Sequence, residues 1–394
     1  MAERPRIPVV MYHGVDHPDP AWPWSDLVCE EMLFRRQIEA LAAANFTAAD
    51  LDAVTAQQAA GVRPRERRVV FTFDDGYLDN WAVALPLMRE LGWRGTVYVN
   101  PEFVDPGETP RPTLDDVRAG SLARDVLPTR GFMNWAELRA ADASGILEVA
   151  SHSMSHTWYP TGPEIVDFHR PGGGYHPWLA WNARPDRKYA YLTEDQTAFV
   201  PWGTPVHEHG RSLGIRRYFP DPRVAERCTA LVAREGGEEF FSRPDWRERL
   251  QREAADADTG AGRYETDAEM IRRFRYEIEE SLRILSERLG RPVRHFCWPG
   301  GAYCDESWRI ALEAGVTSLP VKRSDRRRWL ADDPRFIRRI SPHNAFVLRG
   351  RRYTTNDPRL LVAACRAELG EPLGRWRRTL VKLALVARGS RRAT

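Results

Sequence analysis

The strongest constraint on what this chain can fold into is a strand, a helix and a strand packed into residues 69–99. Val69-Val70-Phe71-Thr72-Phe73 is a run of strand-forming residues, and a helix is expected from about Asp79 to Leu91, where Gly92 stops it. Gly95–Val99 then returns to strand-forming type. So short a crossover between two apolar strands makes a βαβ unit, and hence a parallel sheet. The rhythm recurs. Ile7–Tyr12 reads as a strand before the helix Glu31–Ala44, and Asn134–Ala143 as a helix before the strand Ile146–Ala150. Asp267–Leu289 reads as a long helix followed by a strand at Val293–Trp298, and Glu306–Ala314 as a further helix. Such alternation predicts an α/β barrel or an open α/β sheet. Hydrophobic residues make up 42% of the 394, enough for a substantial core.

Residues 158–262 break this rhythm. They are rich in Pro, Gly, Trp and Arg, with one short helix expected near Arg223–Arg234. A structureless loop of that length does not suit a compact domain, so the segment is read as an insertion. The expected organisation is a first barrel part over 1–157, the insertion over 158–262 as a substrate-binding subdomain, a second barrel part over 263–350, and a helical region with a basic tail over 351–394.

The chemistry sits where strands end. Val69–Phe73 runs directly into Asp74-Asp75-Gly76-Tyr77. Two adjacent like charges at a strand's carboxyl end suggest a cation held by one of them, the other being left for proton transfer; a helix cap with a turn acid is the plainer alternative. Ser151-His152-Ser153-Met154-Ser155-His156 follows the strand Ile146–Ala150. Histidines four residues apart share one face of a helical turn, although surface histidines show the same spacing. Asp75 with His152 and His156 would make a two-histidine, one-carboxylate set that suits zinc or another divalent transition metal. A third strand end, Phe296-Cys297-Trp298-Pro299-Gly300-Gly301-Ala302-Tyr303, lets backbone approach a ligand or forms a plain turn. Arg339-Ile340-Ser341-Pro342-His343-Asn344 adds a late histidine, which could equally be structural.

In this order the motifs resemble the polysaccharide deacetylases with a NodB-homology domain, carbohydrate esterase family 4. The resemblance rests on Thr72-Phe73-Asp74-Asp75-Gly76-Tyr77, on His152-Ser-Met-Ser-His156 and on Trp298-Pro299-Gly300-Gly301. Met11-Tyr12-His13-Gly14-Val15 also looks like the start of many members, and the resemblance covers roughly residues 7–157 and 263–345. It implies a distorted (β/α) barrel with a large insertion, and removal of an N-acyl group, acetyl first, from a sugar. Asp75, His152 and His156 match the metal ligands, with zinc expected above other divalent cations. Asp74 matches the general base, Gly300 the oxyanion-stabilising backbone and His343 the acid. Tyr77, Trp298, Pro299 and Tyr303 are the positions expected along the substrate. Many members carry an arginine that orients the base at the position occupied here by Cys297, so the partner of Asp74 is missing from the motif. Rival readings are a deformylase on a lipid-linked formamido sugar and an inactive glycan-binding member of the fold.

Composition narrows the setting. The net charge of +3 hides a tail, 375–394, with seven Lys and Arg and no acid, so the rest is mildly acidic and nucleic-acid binding is not indicated. The tail mixes these charges with an apolar stripe, which fits either a helix docked on the barrel or peripheral contact with an anionic membrane. Five scattered cysteines without a CxxC pair fit a reducing compartment, and a cytoplasmic enzyme is expected. Trp158, Trp178, Trp181 and Trp202 lie in or beside the insertion, as a glycan cleft or as its core. His207-Glu208-His209 could hold a second metal, though an exposed turn is the simpler reading.

Overall fold

The computed structural model describes residues 4–322, 332–342 and 345–387. Two compact units arise. One is drawn from Met1–Ser153, Ser281–Gly301 and Gly315–Thr394, the other from Met154–Glu280 and Ala302–Ala314.

The first unit is a closed, distorted ring of parallel strands. Its strands are β1 (Val9–Tyr12), β2 (Arg68–Phe73), β3 (Gly95–Val99), β4 (Leu147–Ser151), β5 (Leu319–Lys322) and β6 (Phe336–Arg339). β1 pairs β2, β2 pairs β3 and β3 pairs β4, all parallel. β5 pairs β6 in the same sense. The gap between β4 and β5 is filled by single bridges, Ser151 to Phe296 and His295 to Ser318, and Val10 to Ile340 joins β1 to β6. The segment expected as a strand over 293–298 therefore makes only one bridge on each side. It lies between Pro292 and Pro299, neither of which can donate to a ladder.

The barrel interior is one apolar cluster that takes Val9, Val70, Tyr98, Ala150, Cys297 and Ile337 from successive positions around the ring, with Leu51 and Val54 packed against it. Burying each large side chain contributes about 1.5–3 kcal/mol. Outside, Tyr12, Phe34, Phe71 and Phe73 pack edge-to-face, tilted or stacked at 5.2–6.0 Å. The helix Glu31–Ala43, capped by the Glu30 carboxylate, presents Leu33, Phe34, Ile38 and Leu41 to this layer. Trp135–Ala143 begins at an Asn134–Glu137 capping box.

The second unit is richer in regular structure than its sequence suggests. Trp158–Phe168 pairs antiparallel with Pro205–Arg211, and the register slips between Pro160 and Ile165. Pro160, Gly162 and Pro163 disguise that strand in the sequence. Helices Pro222–Arg234 and Trp246–Ala257 close over Phe168 and Phe240. The long helix expected over 267–289 is divided: Asp267–Arg275 and a wider turn at Tyr276–Glu280 belong to this unit, and Ser281–Leu289 belongs to the first. Trp178 and Trp181 are buried, with Trp158 stacked on Trp178 at 4.4 Å, so these rings form part of the unit's own packing. His207 and His209 lie on a strand rather than in a turn, and their Nδ1 atoms meet the Pro163 and His207 carbonyls.

Candidate active site

Strand periodicity explains how the first unit assembles its site. Side chains two residues apart share a face, so Val70, Thr72 and Asp74 continue one inward line at the end of β2. Ala150 leads to His152 at the end of β4, and Ile337 leads to Arg339 on β6. A layer of apolar side chains is thus topped by a layer of polar ones at the carboxyl ends of the strands, where parallel barrels build their sites.

Asp74 and Arg339 form the centre of that layer. Both are buried, and the guanidinium grips both carboxylate oxygens, Nη1 to Oδ1 at 2.6 Å and Nη2 to Oδ2 at 2.7 Å. Nη1 also donates to Thr72 Oγ1 at 3.2 Å, and the Tyr98 ring lies 5.8 Å from the guanidinium carbon. Burial alone would raise the Asp74 carboxyl. The charge of Arg339, with lesser help from His152 and His13, reverses this and holds it well below the usual carboxylate range. Asp74 is therefore an anion at any ordinary pH. The β1–β2 register sets Tyr12 opposite Phe73 and Asp74 N on the Tyr12 carbonyl, which carries His13 to 3.8 Å from Asp74 Oδ2.

Arg339 heads the late-histidine motif, but the motifs do not reveal its pairing with Asp74, because they place the expected partner at the third motif. The signal was present all the same. A strand of the type Phe-Ile-Arg-Arg puts one arginine on the inner face with Ile337, and a buried arginine needs an anion. Cys297 does not replace it. Its buried thiol is pushed well above its ordinary value, mainly by burial, and stays protonated. Its Sγ lies 3.9 Å from Asp74 Oδ1, a weak thiol contact.

Asp75 faces elsewhere. It adopts φ +74°, a left-handed conformation that costs an L-residue about 1–2 kcal/mol, and its Oδ1 lies 3.5 Å from His152 Nε2. On the other side of the same ring, His152 Nδ1 lies 2.9 Å from the Cys297 carbonyl. A ring N–H donated there leaves Nε2 as a lone pair facing Asp75, which is how proteins prepare a metal-binding imidazole. The main chain around His152 is held as firmly. His152 N donates to the Val99 carbonyl at 2.9 Å, and buried Asn100 Nδ2 donates to the carbonyls of His152 and Ser153.

The segment from His152 to His156 is a loop, not the helical turn its spacing suggests. Ser153 and His156 have φ of +71° and +48°. Among the described residues six non-glycines have positive φ, and three of them, Asp75, Ser153 and His156, lie in these two motifs. Strain concentrated in this way is a mark of functional loops. In the second unit the residue before His156 is pinned on every polar side. Ser155 N and Oγ donate to the buried Glu277 carboxylate, which Ser212 Oγ also reaches at 3.0 Å, and Lys188 Nζ donates to the Ser155 carbonyl at 2.9 Å.

Ligand atoms of Asp74, His152 and Cys297 also lie within 4.8 Å of one another. That set is a poor cation site, since a guanidinium already occupies Asp74 and the thiol is protonated. Asp16, His17 and Glu31 form another group, but Arg124 bridges Asp16 and Glu31 at 2.8 Å each. Asp75 and His152, by contrast, set a carboxylate oxygen beside an imidazole nitrogen at 3.5 Å, and a carboxylate with imidazole is donor chemistry that suits a divalent metal.

The remaining expected positions are distributed as follows. Gly300 lies in the turn Pro299–Gly301 at φ +56°. Pro299 is buried, and Trp298 is fully buried with its ring edge-to-face against Phe296 at 5.1 Å. Tyr77 packs between Trp22 and Phe132 at 5.9 and 5.3 Å. Tyr303, in the second unit, is buried against Trp308 at 5.2 Å. His343 lies outside the described residues. The chain just before it is anchored by Gln37, whose Nε2 donates to the Pro342 carbonyl at 2.6 Å while its Oε1 accepts from Tyr12 Oη at 2.7 Å.

Residues 61–200 match the sequence profile of the polysaccharide deacetylase family. Among curated proteins, none matches this sequence. A solved de-N-acetylase from Aggregatibacter actinomycetemcomitans is similar in structure, with 15% identity over 85% of this chain and 94% of its own, and a TM-score of 0.50. The BpsB deacetylase domain of Bordetella bronchiseptica shows 19% identity over 86% of this chain and 96% of its own, with a TM-score of 0.47. At such identity the first likeness speaks for the fold alone.

Proposed function

We propose, from the match of residues 61–200 to the polysaccharide deacetylase family, that this chain hydrolyses the N-acetyl group of a sugar with a divalent metal held by Asp75, His152 and His156. The observation that carries the reading is the pairing of a metal-ready imidazole, His152 with Nδ1 on the Cys297 carbonyl, with an ionised Asp74 clamped by Arg339. Two imidazoles and one carboxylate favour zinc; His156 enters as the third ligand on its place in the motif. Bound there, the cation supplies Lewis-acid polarisation of the amide carbonyl and acidification of water.

The chain's own residues divide the remaining work. Asp74, kept anionic and fixed in orientation by two hydrogen bonds from Arg339, receives the proton of the attacking water on a carboxylate oxygen. The Gly300 turn, open to close backbone approach, offers its N–H to the oxyanion. His343 protonates the departing amine, an assignment that rests on its motif. The substrate class is an N-acetylated sugar, as a free glycan or linked to a lipid carrier in glycan or glycolipid synthesis. Five free cysteines, four of them buried, support a reducing compartment.

The test is Asp74→Asn. Metal-loaded wild type and variant are incubated with N-acetylated and N-formylated sugars, and acetate, formate and free amine are measured together with bound metal. Turnover should fall by about three orders of magnitude with metal content unchanged. A variant that keeps most of its activity refutes Asp74 as the base, and formate as the sole product refutes the acetyl assignment.

A further inference from the structure

The last described helix, Gly374–Ala387, docks on the first unit through Val381, Leu385 and Val386, which join Phe346, Leu360 and Tyr353 in one cluster. Lys382 Nζ donates to the Val347 carbonyl at 3.0 Å on the same side. A helix packed in this way is expected to turn a polar face to solvent. This one does the reverse. Trp376, Leu380 and Leu383 are 68%, 48% and 41% exposed. At about 100° per residue they fall, with exposed Ala387, in a stripe roughly 60° wide. Among the described side chains of the helix, the exposed polar ones, Arg377 and Thr379, stand at its two edges. Just before the helix, Leu373 is 69% exposed and held at φ +60°.

Charge identifies the occupant. From residue 375 to 394 the sequence has seven Lys and Arg and no acid. The hairpin of Ala345–Leu348 and Arg351–Thr354, against which the helix packs, adds exposed Arg349, Arg351 and Arg352, the last 3.8 Å from Asp26. Tryptophan and leucine on one stripe with flanking arginines are the chemistry of a helix lying in the headgroup layer of an anionic bilayer. Apposing two copies by this face would bring two such acid-free stretches together, and their repulsion argues against a dimer. No helix among the described residues is long and apolar enough to cross a membrane, so the contact is lateral.

We infer that the Trp376–Leu380–Leu383 stripe is a docking surface for anionic lipid, seating the first unit on a membrane. The inference uses no residue of the proposed active site and stands or falls apart from it.

The experiment is co-sedimentation of the full chain with vesicles of phosphatidylcholine alone or with about 30 mol% phosphatidylglycerol. Expected are partition onto the anionic vesicles about tenfold or more above the neutral ones, and weakening by salt. The variant Trp376→Ser/Leu380→Ser/Leu383→Ser should keep the wild-type melting temperature, because these side chains face solvent, and lose about tenfold in partition. Arg377→Glu should reduce binding to anionic vesicles and leave that to neutral ones unchanged. Wild type that ignores anionic vesicles overturns the inference, as does a triple variant that melts and binds like wild type. A wild-type dimer that the triple variant dissolves also overturns it, assigning the stripe to a second copy.

Discussion

Replacing Arg339 by Met removes the guanidinium in two-point contact with Asp74 and leaves the carboxyl buried, with His13 at 3.8 Å and the Cys297 thiol at 3.9 Å. The charge centres are roughly 4 Å apart, which at an effective dielectric near 20 is about 4 kcal/mol of attraction. Breaking a buried pair costs a similar 3–5 kcal/mol. If that interaction keeps Asp74 ionised and aimed, its loss corresponds to about a thousandfold in kcat/KM at neutral pH. The sign of the pH effect follows from the direction of the shift. With Arg339 present, the folded carboxyl lies below its unfolded value, so the pair stabilises the fold above the unfolded value, and this is lost only as pH falls through the folded one. In Arg339→Met burial is opposed only by the lesser pull of His152 and His13, and the carboxyl moves up instead. The acid limb of kcat/KM must therefore move to higher pH, and the melting-temperature gap between variant and wild type must narrow as pH is lowered from 7 towards 4. Arg339→Lys keeps the charge without the two-point grip and should recover part of the rate and most of the limb. The assays are acetate release across pH with metal content checked, and thermal melts over the same range. Superimposable pH profiles for wild type and Arg339→Met would refute the reasoning.

Cys297→Ser should leave metal content unchanged and activity within a few-fold, because the thiol is protonated and only weakly in contact with Asp74; loss of metal would assign the ion to Asp74, His152 and Cys297 instead. Glu277→Ala removes the acceptor of Ser155 N and of two hydroxyls, and should lower metal affinity about 10–100-fold in a chelator titration by loosening the loop that carries His156. Unchanged affinity would separate His156 from the metal. Asn100→Ala, which frees the carbonyls of His152 and Ser153, should act in the same direction and cost roughly 1–3 kcal/mol of stability, read by chemical denaturation.

Much of this protein is legible in its local sequence pattern. Apolar runs at Ile7–Tyr12, Val69–Phe73, Gly95–Val99 and Ile146–Ala150 are strands within two residues of their expected ends, and Gly92 and Gly145 end their helices as expected. The reason is local. Strand propensity, glycine's tolerance of positive φ and helix capping act over a few residues, so a few residues report them. The acidic and histidine motifs are equally local, being the loops that leave two of those strands.

What local pattern did not reveal was decided by register and closure. Trp158–Phe168 is a strand in spite of two prolines, because Pro205–Arg211 completes its ladder on either side of the irregularity. The loop at 152–156 is not helical, because Asn100, Glu277 and Lys188 satisfy its backbone in a strained form that no spacing rule anticipates. Above all, the sequence by itself determined that an acidic pair and a histidine pair would stand at the ends of parallel strands. Only the closed ring decided what steadies the first of them. Arg339 reaches Asp74 across 265 positions of sequence because β6 returns beside β1 and shares its inner face with β2. A buried charge takes the partner that geometry brings to it, whatever their distance along the chain.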